Sequence, residues 1–312
     1  MGQYGFGVDV GGTTCKLGLF DANGTLLSKW EIKTNTEDCG SHILEDIATA
    51  VEGKMAECKI QKSDVLGVGI GVPGPVLDDG TVVKCVNLGW DVINVSELLG
   101  ARLGLPVKAG NDANVAALGE MWLGGGKGYQ NVVMLTLGTG VGGGIVIGGK
   151  IIAGAHGAGG EIGHIKMRDD ETDVCGCGNK GCLEQYASAT GIVRLAKQRL
   201  AKDDAPTCLR TGEVSAKTIF DGAKAGDAVC LELTETLGWM LGTACANISC
   251  VVNPEVFVIG GGVSKAGQIL IDTVEKNFKK RCFHACTGTK FALATLGNDA
   301  GIYGCVKMVL NR

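Results

Sequence analysis

Three cysteines and one histidine, set among glycines, place the strongest constraint on how this chain can fold. The run Cys175-Gly-Cys-Gly-Asn-Lys-Gly-Cys182 follows Glu161-Ile-Gly-His164 closely along the chain. A Cys₃His set suits closed tetrahedral zinc, and the intervening glycines permit the tight turn that brings thiolates together. Such a set has no position left for a catalytic water, so the sequence predicts a structural zinc site. Its ligands are His164, Cys175, Cys177 and Cys182.

A second group, Cys282-Phe-His-Ala-Cys286, superficially resembles another ligand cluster. It follows the basic end of a predicted helix and has no glycine-rich turn, which favours packed or exposed thiols over a metal site. The chain has 14 cysteines and no recognisable export signal. Most of these cysteines are therefore expected to be reduced and to pack as small hydrophobic residues.

Length and charge narrow the classes of function. The 312 residues suffice for two domains, and the formal net charge of −4 argues against binding along a nucleic-acid backbone. The uncharged stretch 132–149 contains seven glycines and alternates apolar residues, which favours a tight hairpin over a membrane helix. We therefore expect a soluble, cytoplasmic protein that binds neither nucleic acid nor membrane.

Hydrophobic periodicity predicts an α/β protein. Strands 6–10 and 15–20 flank one glycine turn, and strands 131–137 and 144–147 flank a second one. Ser41 is predicted to cap the first helix. Further helices are predicted at 112–123, 190–201, 215–224, 228–249, 264–280 and 299–310, and further strands at 65–72, 105–109, 256–259 and 290–295.

Three glycine-rich segments are candidates for binding phosphate or nucleotide. Asp9-Val-Gly-Gly-Thr-Thr14 follows a strand, so its backbone N–H groups and hydroxyls can approach phosphate oxygens while Asp9 holds Mg²⁺ through water. Leu135–Gly143 formally matches a dinucleotide fingerprint, but a strand follows its glycines where that fingerprint needs a helix. In Asn253–Ser264 a buried strand runs into three glycines and a helix, which leaves flat backbone for a nucleotide. The alternative for the first segment is a plain hairpin.

Asp112 lies where a strand ends and an alanine-rich helix begins, in Gly110-Asn-Asp-Ala-Asn114. One interpretation is an ordinary helix N-cap. The other is a general base, kept ionised by the N-terminal end of the helix dipole. The residues around it decide between the two.

Taken together in order along the chain, these motifs resemble the ROK family of sugar kinases and repressors, and within it the bacterial glucokinases. The resemblance implies an actin-like, ribonuclease-H-type fold with a structural zinc knuckle and two lobes that close over a cleft. It places residues 1–113 with 299–312 in a small lobe and 114–298 in a large one. It also implies a homodimer or homotetramer.

The resemblance further implies ATP-dependent phosphorylation of glucose at its C6 hydroxyl, with Asp112 as the base and Mg²⁺ and structural zinc as metals. Sugar hydroxyls would be held by Gly74, Asn87, Asn111, Asp112, Glu161, His164 and Glu184. The nucleotide would be held by Asp9, Gly11, Gly12, Thr13, Thr14, Gly138, Thr139, Gly140, Gly260, Gly261 and Gly262. His164 would bind zinc through one ring nitrogen and sugar through the other.

Three alternatives share parts of this pattern. Kinases for another hexose or for an N-acylhexosamine such as N-acetylmannosamine share all the motifs. Sugar-responsive ROK repressors carry a helix-turn-helix before the first phosphate strand, and here that strand begins within the first ten residues. Polyphosphate is an alternative phosphoryl donor, although Asn253–Ser264 favours a nucleotide.

Two expectations concern substitutions. The zinc ligands bracket Glu161 and Glu184 in sequence and lie apart from the glycine turns, so Cys177→Ser is expected to weaken glucose binding far more than ATP binding. Asp9→Asn is expected to raise the Mg²⁺ requirement for turnover, with a modest loss of stability.

Overall fold

A computed structural model describes residues 3–310, and it confirms the α/β class. Within this part of the chain the strands are β1 (Tyr4–Val10), β2 (Thr14–Asp21), β3 (Leu26–Lys33), β4 (Val65–Val72), β5 (Thr81–Val82), β6 (Ile93–Asn94), β7 (Val107–Asn111), β8 (Val132–Leu137), β9 (Val141–Ile147), β10 (Lys150–Ile151), β11 (Val256–Gly260) and β12 (Lys290–Leu293). The helices are α1 (Ile43–Glu57), α2 (Val95–Leu103), α3 (Asp112–Leu123), α4 (Glu184–Ala187), α5 (Ala189–Leu200), α6 (Ala216–Lys224), α7 (Ala228–Val252), α8 (Gln268–Lys279) and α9 (Ala300–Leu310).

The first sheet has the strand order β3-β2-β1-β4-β7. Strands β1, β2 and β3 form an antiparallel meander, while β4 and β7 run parallel to β1. A hairpin turn at Asn23-Gly24 joins β2 to β3, with Gly24 at φ +87° and the Asp21 carboxylate accepting the N–H groups of Asn23 and Thr25. Strand β4 is buried almost throughout because it lies between two parallel neighbours, which explains its continuous apolar run.

The second sheet has the order β10-β9-β8-β11-β12, in which β8, β11 and β12 are parallel. Two of the helix predictions need correction. Helix α1 follows His42 and not Ser41, and no side chain caps it. The helix predicted from residue 264 is interrupted, because Gly267 has φ +77°; a 3₁₀ turn at Gly262–Ala266 precedes α8.

Contacts within the chain group it into two units. The first comprises the residues up to Gly128, Gly144–Gly160 and those from Asn298 onward; the second comprises Tyr129–Gly143 and Glu161–Gly297. This grouping differs from the lobes expected from the sequence, because it places α3 and residues 144–160 with the first unit. Residues 1, 2, 311 and 312 of the expected small lobe lie outside the described residues. The two lobes stay a prediction.

Glycines allow α9 to lie directly on the first sheet and on α3. A Cβ atom at Gly7 or Gly69 would overlap a backbone carbonyl oxygen of α9, and a Cβ at Gly304 would overlap the carbonyl oxygen of Val115 in α3. Backbones approach this closely only where no side chain intervenes. Helix α9 thereby completes the core of the first unit. Among residues 3–310, no helix combines the length and apolarity needed to cross a membrane.

Candidate active site and metal centre

Asp9 and Asn111 lie at the carboxyl ends of β1 and β7, two parallel strands that flank β4 in the first sheet. Asp9 of β1 is paired with Gly71 of β4, and the next residue of β4, Val72, is paired with Asn111 of β7. The carboxyl ends of parallel strands meet at one edge, which is where α/β proteins build their sites. The predicted phosphate residue and the start of the predicted base motif therefore lie on the same edge.

The position of Asp9 disfavours the ionised form of its carboxyl group. Burial, followed by the negative charge of Asp112, raises the pKa of Asp9 from its ordinary 3.8 to about 6, while Lys16 acts in the opposite direction. Lys16 stands opposite Asp9 in the register of β1 and β2. Gly301 leaves room for the carboxylate, since a Cβ there would overlap Asp9 Oδ2. A part-buried carboxylate with a raised pKa is a common mark of a functional site.

The N-cap of α3 is Asn111 and not Asp112. The Asn111 side-chain oxygen accepts the N–H of Asn114 at 3.1 Å, and its Nδ2 donates to the Gly74 carbonyl at 3.1 Å. Asp112 is the first residue of the helix, and its Oδ1 accepts the N–H of Ala113 at 2.7 Å. The capping alternative for Asp112 is therefore wrong, and its role as a base stays a prediction.

The Gly11–Thr14 turn is a hairpin between β1 and β2. The Gly11 N–H donates to the Thr14 carbonyl at 3.0 Å, and Thr34 Oγ1 donates to the Gly11 carbonyl at 2.7 Å. A Cβ at Gly12 would meet no atom within 4 Å, and Thr13 is exposed. Hydrogen bonds therefore fix the two ends of the turn, and its tip at Gly12 and Thr13 is exposed to solvent. Its contact with phosphate stays a prediction.

Gly74 and Asn87 belong to the loops that follow β4. Gly74 has φ +93°, and a Cβ there would lie 2.5 Å from the Lys84 carbonyl oxygen, so only glycine fits this close approach. Asn87 is exposed in a 3₁₀ turn at Val86–Leu88. Their contacts with sugar stay predictions.

In the second unit the structure brings the four predicted zinc ligands together. One ligand atom from each of the four side chains lies within 4.8 Å of all the others. The Cys177 and Cys182 sulfurs are 3.6 Å apart, and the Cys175 sulfur is 3.8 Å from His164 Nδ1. Metal–ligand bonds of roughly 2.0–2.3 Å in tetrahedral zinc give ligand–ligand distances of about 3.3–3.8 Å. The donor set therefore fits zinc in both chemistry and spacing.

Glu161 and Glu184 flank the histidine ring from opposite sides. Glu161 Oε2 lies 4.0 Å from His164 Nε2, and Glu184 Oε1 lies 3.9 Å from Nδ1. The Cys175 thiol donates to Glu184 Oε1 at 2.9 Å. Nδ1 thus faces the cysteines, and Nε2 is left on the side of Glu161.

Glu184 also contacts a glycine turn, which the sequence did not indicate. Its Oε2 accepts the Val141 N–H at 3.4 Å, and a Cβ at Gly140 would lie 2.7 Å from that oxygen. Glu184 therefore connects the metal cluster to the turn that joins β8 to β9, although the two are apart in sequence; the expectation that Cys177→Ser weakens glucose binding far more than ATP binding stays a prediction. No sequence signal links residues 140 and 184, since they meet only through tertiary packing.

The two remaining glycine segments lie at the ends of adjacent parallel strands. The Gly138–Gly140 turn follows β8, and Gly260–Gly262 follows β11; Thr136 and Gly260 are paired in register. Gly261 has φ +82°, and a Cβ there would lie 2.6 Å from the Leu137 backbone. The segments predicted to hold nucleotide are thus neighbours in the second unit, although their contact with nucleotide is untested.

Among the described residues, one further group has metal-ligand types close together, namely Cys208, Asp227 and Cys230. Asp227 caps α7 by accepting the Cys230 N–H at 3.0 Å, and it also accepts the Cys208 N–H at 2.7 Å. Its oxygens are therefore engaged by the backbone, which gives the group a structural explanation. Cys282 is part-buried and Cys286 is buried, and neither belongs to these two groups among the described residues.

Comparison with known proteins places these observations in a family context. A model of the ROK family matches residues 5–312. The chain is 43% identical to a glucokinase from Halalkalibacterium halodurans, over 96% of this chain and 92% of that protein. It is 38% identical to a glucokinase from Streptomyces coelicolor, over 97% and 96% respectively. The structure of a ROK family glucokinase from Streptomyces griseus in complex with glucose and AMPPNP matches with a TM-score of 0.72 and 36% identity, covering 98% of each chain.

Proposed function

Because the chain belongs to the ROK family, we propose that it is a hexose kinase that transfers the γ-phosphoryl group of ATP to the C6 hydroxyl of glucose. The observation that carries this proposal is the similarity to bacterial glucokinases over nearly the whole of both chains. A solved relative of this kind binds glucose and an ATP analogue together. We assign a hexose and ATP as the two ligands of this protein.

Asp112 is the proposed proton acceptor for the C6 hydroxyl. It stands at the first position of α3, where the helix dipole favours a negative charge. Phosphoryl transfer has a loose transition state, so alignment of donor and acceptor contributes more than proton removal. We assign to Asp112 both the orientation of the hydroxyl and the acceptance of its proton.

The glycine turns are the proposed phosphate-binding elements. In the first unit these are Gly11, Gly12, Thr13 and Thr14 with Asp9; in the second they are Gly138, Thr139 and Gly140, with Gly260, Gly261 and Gly262 for the nucleotide. Mg²⁺, when bound near Asp9, would neutralise phosphate oxygens. The part-buried Asp9 carboxylate, which lies two residues before the Gly11–Thr14 turn, would supply a negative oxygen ligand for the ion or its water.

Glucose hydroxyls are assigned to Gly74, Asn87, Asn111, Glu161, His164 and Glu184, in addition to Asp112. Zinc would be held by His164, Cys175, Cys177 and Cys182, and it would supply structural support only. The orientation of the His164 ring supports separate roles for its two nitrogens, since Nδ1 faces the cysteines and Nε2 faces Glu161. Nδ1 is the proposed zinc ligand and Nε2 the proposed sugar contact.

A substrate panel tests this function. ATP-dependent turnover should be measured with glucose, other hexoses, N-acetylmannosamine and N-acetylgalactosamine, and polyphosphate should be tried in place of ATP. We expect the highest kcat/KM with glucose and ATP. A kcat/KM for N-acetylmannosamine ten times that for glucose would replace the glucose assignment, and absence of turnover with every sugar would favour a sugar-responsive regulator. Light scattering on the same sample tests the proposed homodimer or homotetramer.

A further inference from the structure

The seven residues Glu184–Thr190, here called the 184–190 segment, hold the Gly138–Val141 turn along its whole length. The Ala189 N–H donates to the Gly138 carbonyl at 2.8 Å, and the Thr190 hydroxyl donates to the Thr139 carbonyl at 2.6 Å. Glu184 accepts the Val141 N–H at 3.4 Å and leaves no room for a Cβ at Gly140. Every residue of the turn therefore rests on this one short segment.

The segment is itself internally fixed. Ser188 is fully buried, caps α5 by accepting the Gly191 N–H at 2.9 Å, and donates to the Glu184 carbonyl at 2.7 Å. Its Oγ also lies 3.0 Å from Thr190 Oγ1. Each hydroxyl has a single proton, and those of Ser188 and Thr190 are used on the Glu184 and Thr139 carbonyl oxygens, so their mutual approach is a close contact and not a further hydrogen bond. Glu184 and Thr190 are thus both in contact with Ser188.

The other end of the segment is tied to the metal cluster. Glu184 Oε1 accepts the Cys175 thiol at 2.9 Å, while Oε2 of the same carboxylate faces the turn. Two further contacts reinforce this end: Gln185 accepts the Cys182 N–H at 3.0 Å and donates to the Asp173 carbonyl at 3.0 Å. With zinc bound, Cys175 would be a thiolate and could not donate to Glu184, so metal binding alters this carboxylate contact directly, while Gln185 keeps the segment tied to the Cys182 backbone.

From these contacts we propose that Thr190 is a positioning residue for nucleotide phosphate binding, and that the 184–190 segment couples the metal cluster to the Gly138–Val141 turn. The inference rests on the proposed function, because it takes that turn as part of the ATP site. Thr190 touches no reacting atom; it acts by fixing the Thr139 carbonyl, and with it the backbone of the turn. Metal binding accordingly supports nucleotide affinity as well as the sugar residues.

The first test uses Thr190→Val, which keeps the shape of the side chain and removes the donor. We expect the Kd for AMPPNP, measured by calorimetry with Mg²⁺ present, to rise about 3- to 10-fold, the range of one net hydrogen bond. The Kd for glucose should stay within twofold, and Thr190→Ser should restore AMPPNP binding. Thr236→Val is the matched control, because its hydroxyl donates to the Glu232 carbonyl in α7, away from the turn. An AMPPNP Kd within twofold of wild type in Thr190→Val would overturn the role of Thr190.

The second test removes the metal. Wild type and Thr190→Val are treated with a chelator, checked by circular dichroism for an intact fold, and assayed for zinc content and AMPPNP binding. We expect chelation to weaken AMPPNP binding in wild type, and to do so by a smaller factor in Thr190→Val, where one contact between the segment and the turn has already been removed. Unchanged AMPPNP affinity after chelation, or wild-type protein that holds no zinc, would overturn the coupling.

Failure of this inference is separable from failure of the proposed function. Wild type that phosphorylates glucose and binds AMPPNP, with a Thr190→Val variant indistinguishable from it, refutes the inference alone. Wild type that binds no AMPPNP refutes the ATP-dependent function itself.

Discussion

Replacing Asp9 by Asn should stabilise the protein at neutral pH while impairing catalysis. The sequence led us to expect a modest loss of stability. The structure reverses that sign because burial and Asp112 raise the pKa of Asp9 to about 6. Above this pH the folded protein holds an ionised carboxylate in an unfavourable place, whereas the unfolded chain exposes it to water.

The size of the effect follows from linkage. A pKa of 3.8 in the unfolded chain and about 6 in the folded one corresponds to a cost of about 3 kcal/mol at pH 7.5. The raised pKa of Asp9 contributes to the free energy of unfolding: this stabilisation is complete below pH 3.8 and is lost as the pH rises through about 6. An Asn side chain avoids this cost but is itself polar and part-buried. We therefore expect Asp9→Asn to gain about 1–3 kcal/mol at pH 7.5 and close to nothing at pH 4.

Urea unfolding of both proteins between pH 4 and pH 8 measures this difference in the free energy of unfolding. The difference in the free energy of unfolding between variant and wild type should increase from pH 4 to about pH 6 and then level off. Turnover of the variant should require more Mg²⁺ than wild type. An Asp9→Asn variant that is less stable than wild type at pH 7.5, by an amount independent of pH, would refute the electrostatic reasoning.

Three further substitutions probe the catalytic, metal and backbone features. Asp112→Asn should bind glucose and AMPPNP almost normally in calorimetry but lose about 10²–10⁴-fold in kcat, and a kcat within threefold of wild type would remove its assignment as base. Cys177→Ser should purify with less zinc by elemental analysis and melt at a lower temperature; zinc at the wild-type level would contradict the ligand set. Gly261→Ala should lower the free energy of unfolding by about 1–3 kcal/mol in urea, because of its φ of +82° and the Leu137 backbone. The same change at Gly212, where a Cβ meets nothing within 4 Å, should have little effect.

Local patterns predicted the elements well because the relevant forces are local. The alternation around Asn23-Gly24 and the helical spacing of 112–123 are set by residues that are neighbours in the chain. The same holds for the zinc set, since glycines inside Cys175–Cys182 and a nearby His164 fix the ligand geometry over a short stretch.

Features that depend on the partner of a side chain were not predictable in this way. Asn111 and Asp112 are both good capping residues, and only the strand end at Asn111 decides which of them caps α3. The raised pKa of Asp9 depends first on its burial and then on the charge of Asp112, about a hundred residues away in the chain. The contact between Glu184 and Gly140 requires the packing of α4 against the turn. Each of these results from non-local geometry, which hydrophobic periodicity does not encode.

The glycine-lined surface of β1 and β4 that receives α9 has a consequence for synthesis on the ribosome. Both strands have been made once residue 72 is added, but their covering helix is complete only at residue 310. Throughout elongation of the intervening chain, the nascent polypeptide lacks the backbone that packs on Gly7 and Gly69. The strands β8, β11 and β12 of the second unit, by contrast, are all available by residue 293. All strands of the second sheet are therefore synthesised before α9, so this sheet can assemble before the N-terminal sheet receives its covering helix.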